Sequence, residues 1–299
     1  MKTTTADTIN NKNRGILFVL LEAFFFALMS FFLKEAGDLP TMEKTFFRNL
    51  IATFISLAIL LRTEDKLKIQ KGSLPFLILR SVGGTLGMIC NFYAIDHLVI
   101  SDANMLNKMS PFFAVLFSIF ILKEKAGKFD WACVLLAFTG ALIVMRPSFS
   151  LASLPALIGL CGGLGAGFAY TFVRLLGTRG ERGPMIVFFF SASSTLFTLP
   201  FAIAQYKPMT AWQFLCLLLT GCSAMGGQLC ITKAYTCAPA KEISVFDYSQ
   251  VIFAAILGTL FLGEYPDAIS FLGYAVIIGA AILRWYVTNH PVEEKRTVA

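Results

Sequence analysis

Histidine is nearly absent from this sequence, and charged side chains are scarce. The 299 residues include two histidines, and only 14% are Asp, Glu, Lys or Arg, whereas soluble domains contain about 25% charged residues. Hydrophobic residues make up 57% of the chain, above the soluble average of about 45–50%. This composition argues against an ordinary soluble domain and is typical of a polytopic membrane protein.

Motifs for enzymatic chemistry are also missing. There is no G-x-x-x-x-G-K-[ST] phosphate loop, so we do not expect this chain to hydrolyse ATP. H-E-x-x-H and G-x-S-x-G are absent, and the two histidines, His97 and His290, lie in a short loop and in the C-terminal tail. The seven cysteines fall inside apolar runs without metal-ligand spacing, and we interpret them as free thiols. We therefore expect no catalysis, no cofactor and no metal.

What the sequence has in quantity is long apolar runs. About 20 apolar residues cross the hydrocarbon core as a helix, and backbone in contact with lipid must be hydrogen-bonded internally. The runs predict an all-α integral membrane protein whose linkers are too short for a soluble domain. The ten predicted transmembrane helices are 15–34, 45–62, 74–96, 101–122, 129–146, 152–176, 184–204, 211–235, 243–263 and 268–288.

Positive residues cluster in alternate loops. Lys and Arg are frequent before the first predicted span and after the second, fourth and sixth, whereas the loops at 96–101 and 264–267 contain none. Cytoplasmic loops carry this excess of positive charge, so we predict cytoplasmic termini and an inner (plasma) membrane location. The net charge of +7 then belongs to the loops, and no nucleic-acid partner is expected.

The sequence repeats itself after 140 positions. FFAVLFSIFIL aligns with IFAAILGTLFL, and Glu124 aligns with Glu264. Each copy holds five spans, and because five is odd the second copy would be inverted in the membrane. Inverted repeats are typical of secondary transporters with a site near the midplane. The predicted units are an N-terminal tail (1–14), a first repeat (15–147), a second repeat (152–288) and a C-terminal tail (289–299).

Ionisable side chains inside the predicted spans point to a cavity or to buried partners, because each costs about 2.5–3.5 kcal/mol at mid-bilayer. Glu22 lies within the first span. It is either a structural lock paired across helices or a cavity carboxylate that binds a cation or a proton. Arg48 and Arg80 lie near span ends, where we expect their side chains to snorkel to the membrane surface.

The fourth and ninth spans carry polar patches at equivalent positions. The first patch follows the i, i+3, i+4, i+7 spacing of one helix face and consists of Asn104, Asn107, Lys108 and Pro111. Its counterpart, 140 positions later, consists of Ser244, Asp247, Tyr248 and Val251. Each patch alone could be a wet helix end, but the pair favours a two-sided cavity lining. Pro111 is expected to kink the fourth helix just beyond its patch.

These residues resemble the EamA-type drug/metabolite transporter family along nearly the whole chain. The resemblance rests on FFRNLIATFISLAILL, LRSVGGTLGMICNFYAI, MSPFFAVLFSIFILKEK and SVFDYSQVIFAAILGTLFLGEYPD. It implies ten helices in two five-helix repeats, both ends inside, and a substrate site between spans 1, 3, 4 and 6, 8, 9. Some motifs, such as FFRN and YSQVIFAAI, are similar to the branch that includes bacterial S-adenosylmethionine carriers.

The residues and the resemblance together predict a secondary transporter of a small polar organic metabolite that works by alternating access. Amino acids and nucleoside-like cofactors such as S-adenosylmethionine are the candidate substrates. The alternatives are an integral membrane enzyme acting on lipid-linked substrates and a passive channel. Direction, a coupling proton or ion, and a homo-oligomer are left open. The predicted substrate-binding residues are Glu22, Asn91, Asn107, Lys108, Tyr170, Gln228, Asp247 and Tyr248.

Overall fold

A computed structural model describes residues 5–97, 106–145, 154–263 and 265–289. Within these ranges all regular structure is helical, which confirms the predicted all-α fold. The helices of the first half are α1 (Thr5–Glu35), α2 (Thr41–Leu61), α3 (Leu74–His97), α4 (Ser110–Ile121) and α5 (Lys128–Met145). Those of the second half are α6 (Leu154–Thr178), α7 (Gly183–Ala204), α8 (Ala211–Cys237), α9 (240–262) and α10 (Ala268–Asn289).

Eight of these helices are long and apolar enough to cross a membrane, counted over the described residues. The two others are α4, whose helix has 12 residues, and α5, which has 18 residues and an aspartate in its first turn. Large apolar side chains such as Phe120, Leu196 and Leu260 are highly exposed on the outer surface, as lipid-facing residues are. The chain is a multi-pass membrane protein, and the count of ten membrane spans stays a prediction.

The two halves pack with the same pattern of neighbours. Helix α3 runs along α6, and its counterpart α8 runs along α1. Helix α4 contacts α6, and its counterpart α9 contacts α1. The pairs α2–α7 and α5–α10 complete the bundle. Exchanging each helix with the one five places later reproduces these contacts, as expected of two five-helix repeats. The predicted repeat boundaries at 147 and 152 lie outside the described residues.

Glycines bring α3 and α6 into backbone contact. A Cβ atom added to Gly87 would lie 2.9 Å from the backbone nitrogen of Ala166 and 3.0 Å from the carbonyl oxygen of Gly162. Real Cβ atoms do not come so close to neighbouring backbone, so only glycine fits there. Small residues at such faces let membrane helices approach closely, and here they fix the contact between the two halves beside the central cavity.

Helices α4 and α9 are irregular where they carry their polar patches. Helix α9 comprises a short helix at Ala240–Ile243, a 3₁₀ turn at Ser244–Tyr248, an α-helix at Ser249–Leu257 and a π turn at Gly258–Leu262. Residues 106 and 107 are helical, residues 108 and 109 form a turn, and α4 begins at Ser110. Irregular backbone at membrane depth is tolerated where it lines a cavity or is buried in protein.

Pro111 lies in the first turn of α4, where its missing N–H has no intrahelical partner in any case. The helical backbone is interrupted at residues 108 and 109, directly before α4. The kink predicted at Pro111 stays a prediction. Asn104, the first member of the polar patch, lies outside the described residues.

Candidate functional site

A cavity of about 190 Å³ lies between the two halves of the molecule. Its wall is formed by α1, α2, α3, residues 107 and 108, the first residue of α4, and α6, α7, α8 and α9. Although the surrounding bundle is apolar, the wall contains both charged and neutral polar side chains. These are Glu22, Ser30, Arg48, Arg80, Asn91, Asn107, Lys108, Ser110, Tyr170, Gln228, Asp247 and Gln250.

The two polar patches meet in this wall. The ammonium of Lys108 lies 3.3 Å from a carboxylate oxygen of Asp247 and donates a 2.6 Å hydrogen bond to Gln250. The Tyr248 hydroxyl donates to the Lys108 carbonyl oxygen at 3.1 Å. Lys108 and Tyr248 are equivalent positions of the two repeats, so their contact is the one expected of equivalent residues that lie beside an approximate two-fold axis.

Two arginines face the same cavity without an acidic partner among the described residues. Arg80 is 2% exposed, donates to the Gln228 side-chain oxygen at 3.0 Å, and lies 3.9 Å above the Phe190 ring. Arg48 donates to the Asn49 side chain and to the sulfur atoms of two methionines. Neutral contacts hold both guanidinium groups in place and leave their positive charges uncompensated.

The wall also contains polar atoms that are buried but have no hydrogen-bond partner within the described residues. They are the Oε2 atom of Glu22, the Nε atom of Arg80 and the Oδ1 atom of Asn91. Glu22 interacts electrostatically with both Asp247 and Lys108. Because an unsatisfied buried polar group costs about 1–3 kcal/mol, three such atoms around one cavity indicate a site that a ligand or water completes.

The cavity extends toward one end of the bundle, and an ion pair joins neighbouring segments at the opposite end. Along α1 its wall continues from Glu22 to Leu33, close to the end of that helix. At the opposite end, Arg174 lies 3.2 Å from Glu124 and donates to the carbonyl oxygens of Tyr235 and Thr236. Those carbonyls belong to the part of α8 that packs beside the start of α1. These contacts join the chain that follows α4 to α6 and α8 at that end of the bundle.

Comparisons with known proteins agree with this architecture. The model of the EamA-like transporter family matches residues 13–146 and 153–286. The chain belongs to the EamA-like transporter family. The pseudopaline exporter CntI of Pseudomonas aeruginosa (strain UCBPP-PA14) is 35% identical over 271 residues, which cover 90% of this chain and 94% of that exporter.

One relative of lower sequence identity and one solved structure are also similar to this chain. The human solute carrier family 35 member G1 is 26% identical over 297 residues, which cover 92% of this chain and 80% of the carrier. A crystal structure at 14% identity has a TM-score of 0.77 and matches 92% of this chain and 98% of its own chain, which shows a shared fold. The protein is thus a membrane transporter, and of these two relatives only the exporter has a name that states what it carries.

The residues predicted as the substrate site of this EamA-like transporter lie close together, with one exception. Seven of the eight line the cavity, namely Glu22, Asn91, Asn107, Lys108, Tyr170, Gln228 and Asp247. Tyr248 is fully buried and packs in the hydrophobic core beside the cavity, where its hydroxyl holds the Lys108 backbone. Their role in binding a substrate stays a prediction.

Sequence reasoning missed Arg48 and Arg80 as cavity residues. Both were expected to snorkel to the membrane surface, and that expectation was wrong because both side chains line the cavity. The sequence does contain a pattern that places Arg80 in the cavity wall. In α3, Arg80, Gly84 and Asn91 stand at i, i+4 and i+11 and so share one helix face. The predicted Asn91 already marked that face.

Proposed function

We propose that this protein is a secondary transporter that moves a small polar organic metabolite across the inner membrane by alternating access. The observation that supports the proposal is the cavity between the repeats, which combines charged side chains with buried polar atoms that have no partner in the described residues and extends toward one end of the bundle. Substrate and coupling-ion sites of inverted-repeat transporters lie near the midplane, where irregular helices meet.

The end of the bundle toward which the cavity extends supports an outward-facing conformation. We propose that both termini are cytoplasmic, which puts the start of α1 and the Arg174–Glu124 ion pair on the cytoplasmic side. The cavity then opens toward the external face. Opening the cytoplasmic side would require that this ion pair and the contacts of Arg174 with α8 separate, while the opposite end closes.

The size of the cavity favours the smaller candidate substrates. Its volume of about 190 Å³ lies below the range of about 300–1,000 Å³ typical of pockets for drug-sized ligands. An amino-acid-sized metabolite fits this cavity better than a nucleoside-like cofactor such as S-adenosylmethionine. Since the relative that is 35% identical is named an exporter, we propose export as the direction.

Exchange across liposomes tests the proposal even though the substrate is unidentified. The purified protein is reconstituted into liposomes loaded with an unlabelled bacterial metabolite extract, and a uniformly ¹³C-labelled extract is added outside. We expect mass spectrometry to detect one or a few labelled polar metabolites inside, entering saturably and only when the unlabelled compound is present inside. Protein-free liposomes are the control for leakage.

The same assay separates the alternatives. A passive channel would admit many small solutes without saturation and without the need for unlabelled compound inside. A membrane enzyme would convert labelled compounds into products of a different mass. A Lys71→Gln variant, altered at an exposed loop lysine, is the matched protein control and should exchange like the wild type. No exchange of any labelled metabolite would contradict the proposed function.

A further inference from the structure

The charges of the cavity wall do not balance. Its ionisable side chains are two arginines and one lysine against two acids, Glu22 and Asp247, among the described residues. Lys108 and Asp247 neutralise each other at 3.3 Å. What remains is an arrangement of two guanidinium groups, Arg48 and Arg80, and one carboxylate, Glu22. Counted with all five side chains ionised, the wall carries one excess positive charge.

Structural contacts do not explain why two arginine charges lie in the cavity wall. Arg80 stacks on Phe190 and donates to a neutral amide. A cation–π contact contributes about 0.5–2 kcal/mol, which is less than the several kcal/mol that burial of an ion costs in a protein. Arg48 contacts an asparagine and thioether sulfurs, which are weaker acceptors than a carboxylate. Arg80, which is buried, and Arg48, which is partly exposed, therefore both lack an anionic partner among the described residues.

Guanidinium groups recognise carboxylates through two parallel hydrogen bonds. Arg80 retains an Nε atom without any partner in the described part of the chain, on the edge that such a bidentate contact uses. The Oε2 atom of Glu22 also has no hydrogen-bond partner in the described part of the chain, and a carboxylate oxygen can accept a hydrogen bond from an ammonium group. A ligand that fits both atoms would therefore place a hydrogen-bond acceptor at Arg80 and a donor at Glu22.

We propose that the substrate carries at least two carboxylates and one amino group, with a net charge of −1 or lower. The carboxylates bind Arg48 and Arg80, the ammonium group binds Glu22, and a net charge of −1 neutralises the cavity. This inference rests on the proposed function, since it takes the cavity as the substrate site. It narrows the small polar metabolites to amino-dicarboxylate compounds and excludes cationic substrates.

A series of four small probes tests the charge pattern directly. L-Glutamate has the proposed pattern, L-glutamine lacks the second carboxylate, glutarate lacks the amine, and L-lysine has the opposite net charge. Each probe is added at equal millimolar concentration to the full-length protein in lipid nanodiscs, and thermal unfolding is followed. We expect glutamate to stabilise most, glutamine and glutarate to bind about tenfold or more weakly, and lysine to have no effect.

Two variants assign the pattern to the named residues. Arg80→Gln should remove the preference for glutamate over glutamine, and Glu22→Gln should remove the preference for glutamate over glutarate. Arg80→Lys keeps the charge and should restore part of the first preference. Unfolding of each variant without ligand is measured first, and a variant that fails to unfold cooperatively is replaced by Arg48→Gln, for which we expect the same loss as for Arg80→Gln.

The inference is overturned if lysine or glutamine stabilises the protein as well as glutamate, or if none of the probes stabilises it. Its failure is distinct from failure of the proposed function. Saturable exchange of a cationic metabolite in the labelled-extract assay would refute the proposed charge pattern and support the proposed transport function. A preference for glutamate without exchange of any metabolite would support the charge pattern and contradict the transport function.

Discussion

Two buried arginines, Arg80 in the cavity wall and Arg284 outside it, occupy similar surroundings but have different partners. Their exposures are 2% and 5%, both have an Nε atom without a hydrogen-bond partner in the described residues, and both lie near a phenylalanine ring. Arg284, however, pairs with the Asp130 carboxylate at 2.7 Å, whereas Arg80 contacts only the neutral amide of Gln228 through a hydrogen bond.

This difference in partners distinguishes an arginine with a structural role, Arg284, from one that we assign to substrate binding, Arg80. Asp130 both neutralises Arg284 and accepts the backbone N–H of Gly127 at 2.6 Å, so this pair joins α10 to the start of α5. The fold thus provides a carboxylate for a buried arginine that has a structural role. For Arg80 it provides none, although burial costs as much there, and the missing anion is the feature that marks the cavity as a binding site.

The largest loss of stability is expected for Asp130→Asn. Removing one member of a buried ion pair leaves the other charge uncompensated, so we expect a loss of about 3 kcal/mol in the free energy of unfolding. Thermal unfolding in detergent measures it. Asp65→Asn is the matched control, because Asp65 pairs with Lys68 at an exposed site and should change stability by no more than about 0.5 kcal/mol. If both variants lost the same stability, the Asp130–Arg284 pair would not have the structural role that distinguishes it from Arg80.

A smaller loss is expected for Asp247→Asn, in the pair that lies inside the cavity. Lys108 keeps its contacts with Gln250 and with the Asp247 backbone oxygen, and the cavity admits water, so we expect a loss of about 1–2 kcal/mol. Exchange per folded molecule should also fall, because Lys108 loses its orientation. A variant with wild-type stability would show that this pair contributes nothing to the fold.

The sequence predicts the fold well because the fold follows from patterns along the chain. Apolar runs predict the helices, and the shift of 140 positions predicts that Lys108 and Tyr248 are equivalent, which their hydrogen-bonded contact agrees with. The start of α4 at Ser110 was not predicted, since apolar composition does not show where a helix gives way to a turn.

The sequence predicted most of the residues that line the cavity, but it did not predict that two arginines face the cavity or which charged side chains pair. Snorkelling and cavity-facing arginines have the same distance from a span end, and what separates them is the rotation of α3 against its neighbours. That rotation depends on tertiary packing, such as the close contact of Gly87 with α6. The sequence also did not show which charged side chains pair with each other: Asp247 was predicted to bind the substrate, and in the structure its carboxylate contacts Lys108.

The most direct test of the central claim, that the unpaired cavity charges bind the substrate, is labelled-extract exchange by Arg80→Gln beside Asp130→Asn, each scaled to folded protein. We predict that Arg80→Gln unfolds within about 1 kcal/mol of the wild type, because it removes an uncompensated buried charge together with a weak cation–π contact. Its exchange should fall about tenfold or more. Asp130→Asn should lose stability and keep its exchange per folded molecule. Wild-type exchange by a well-folded Arg80→Gln variant would contradict the claim.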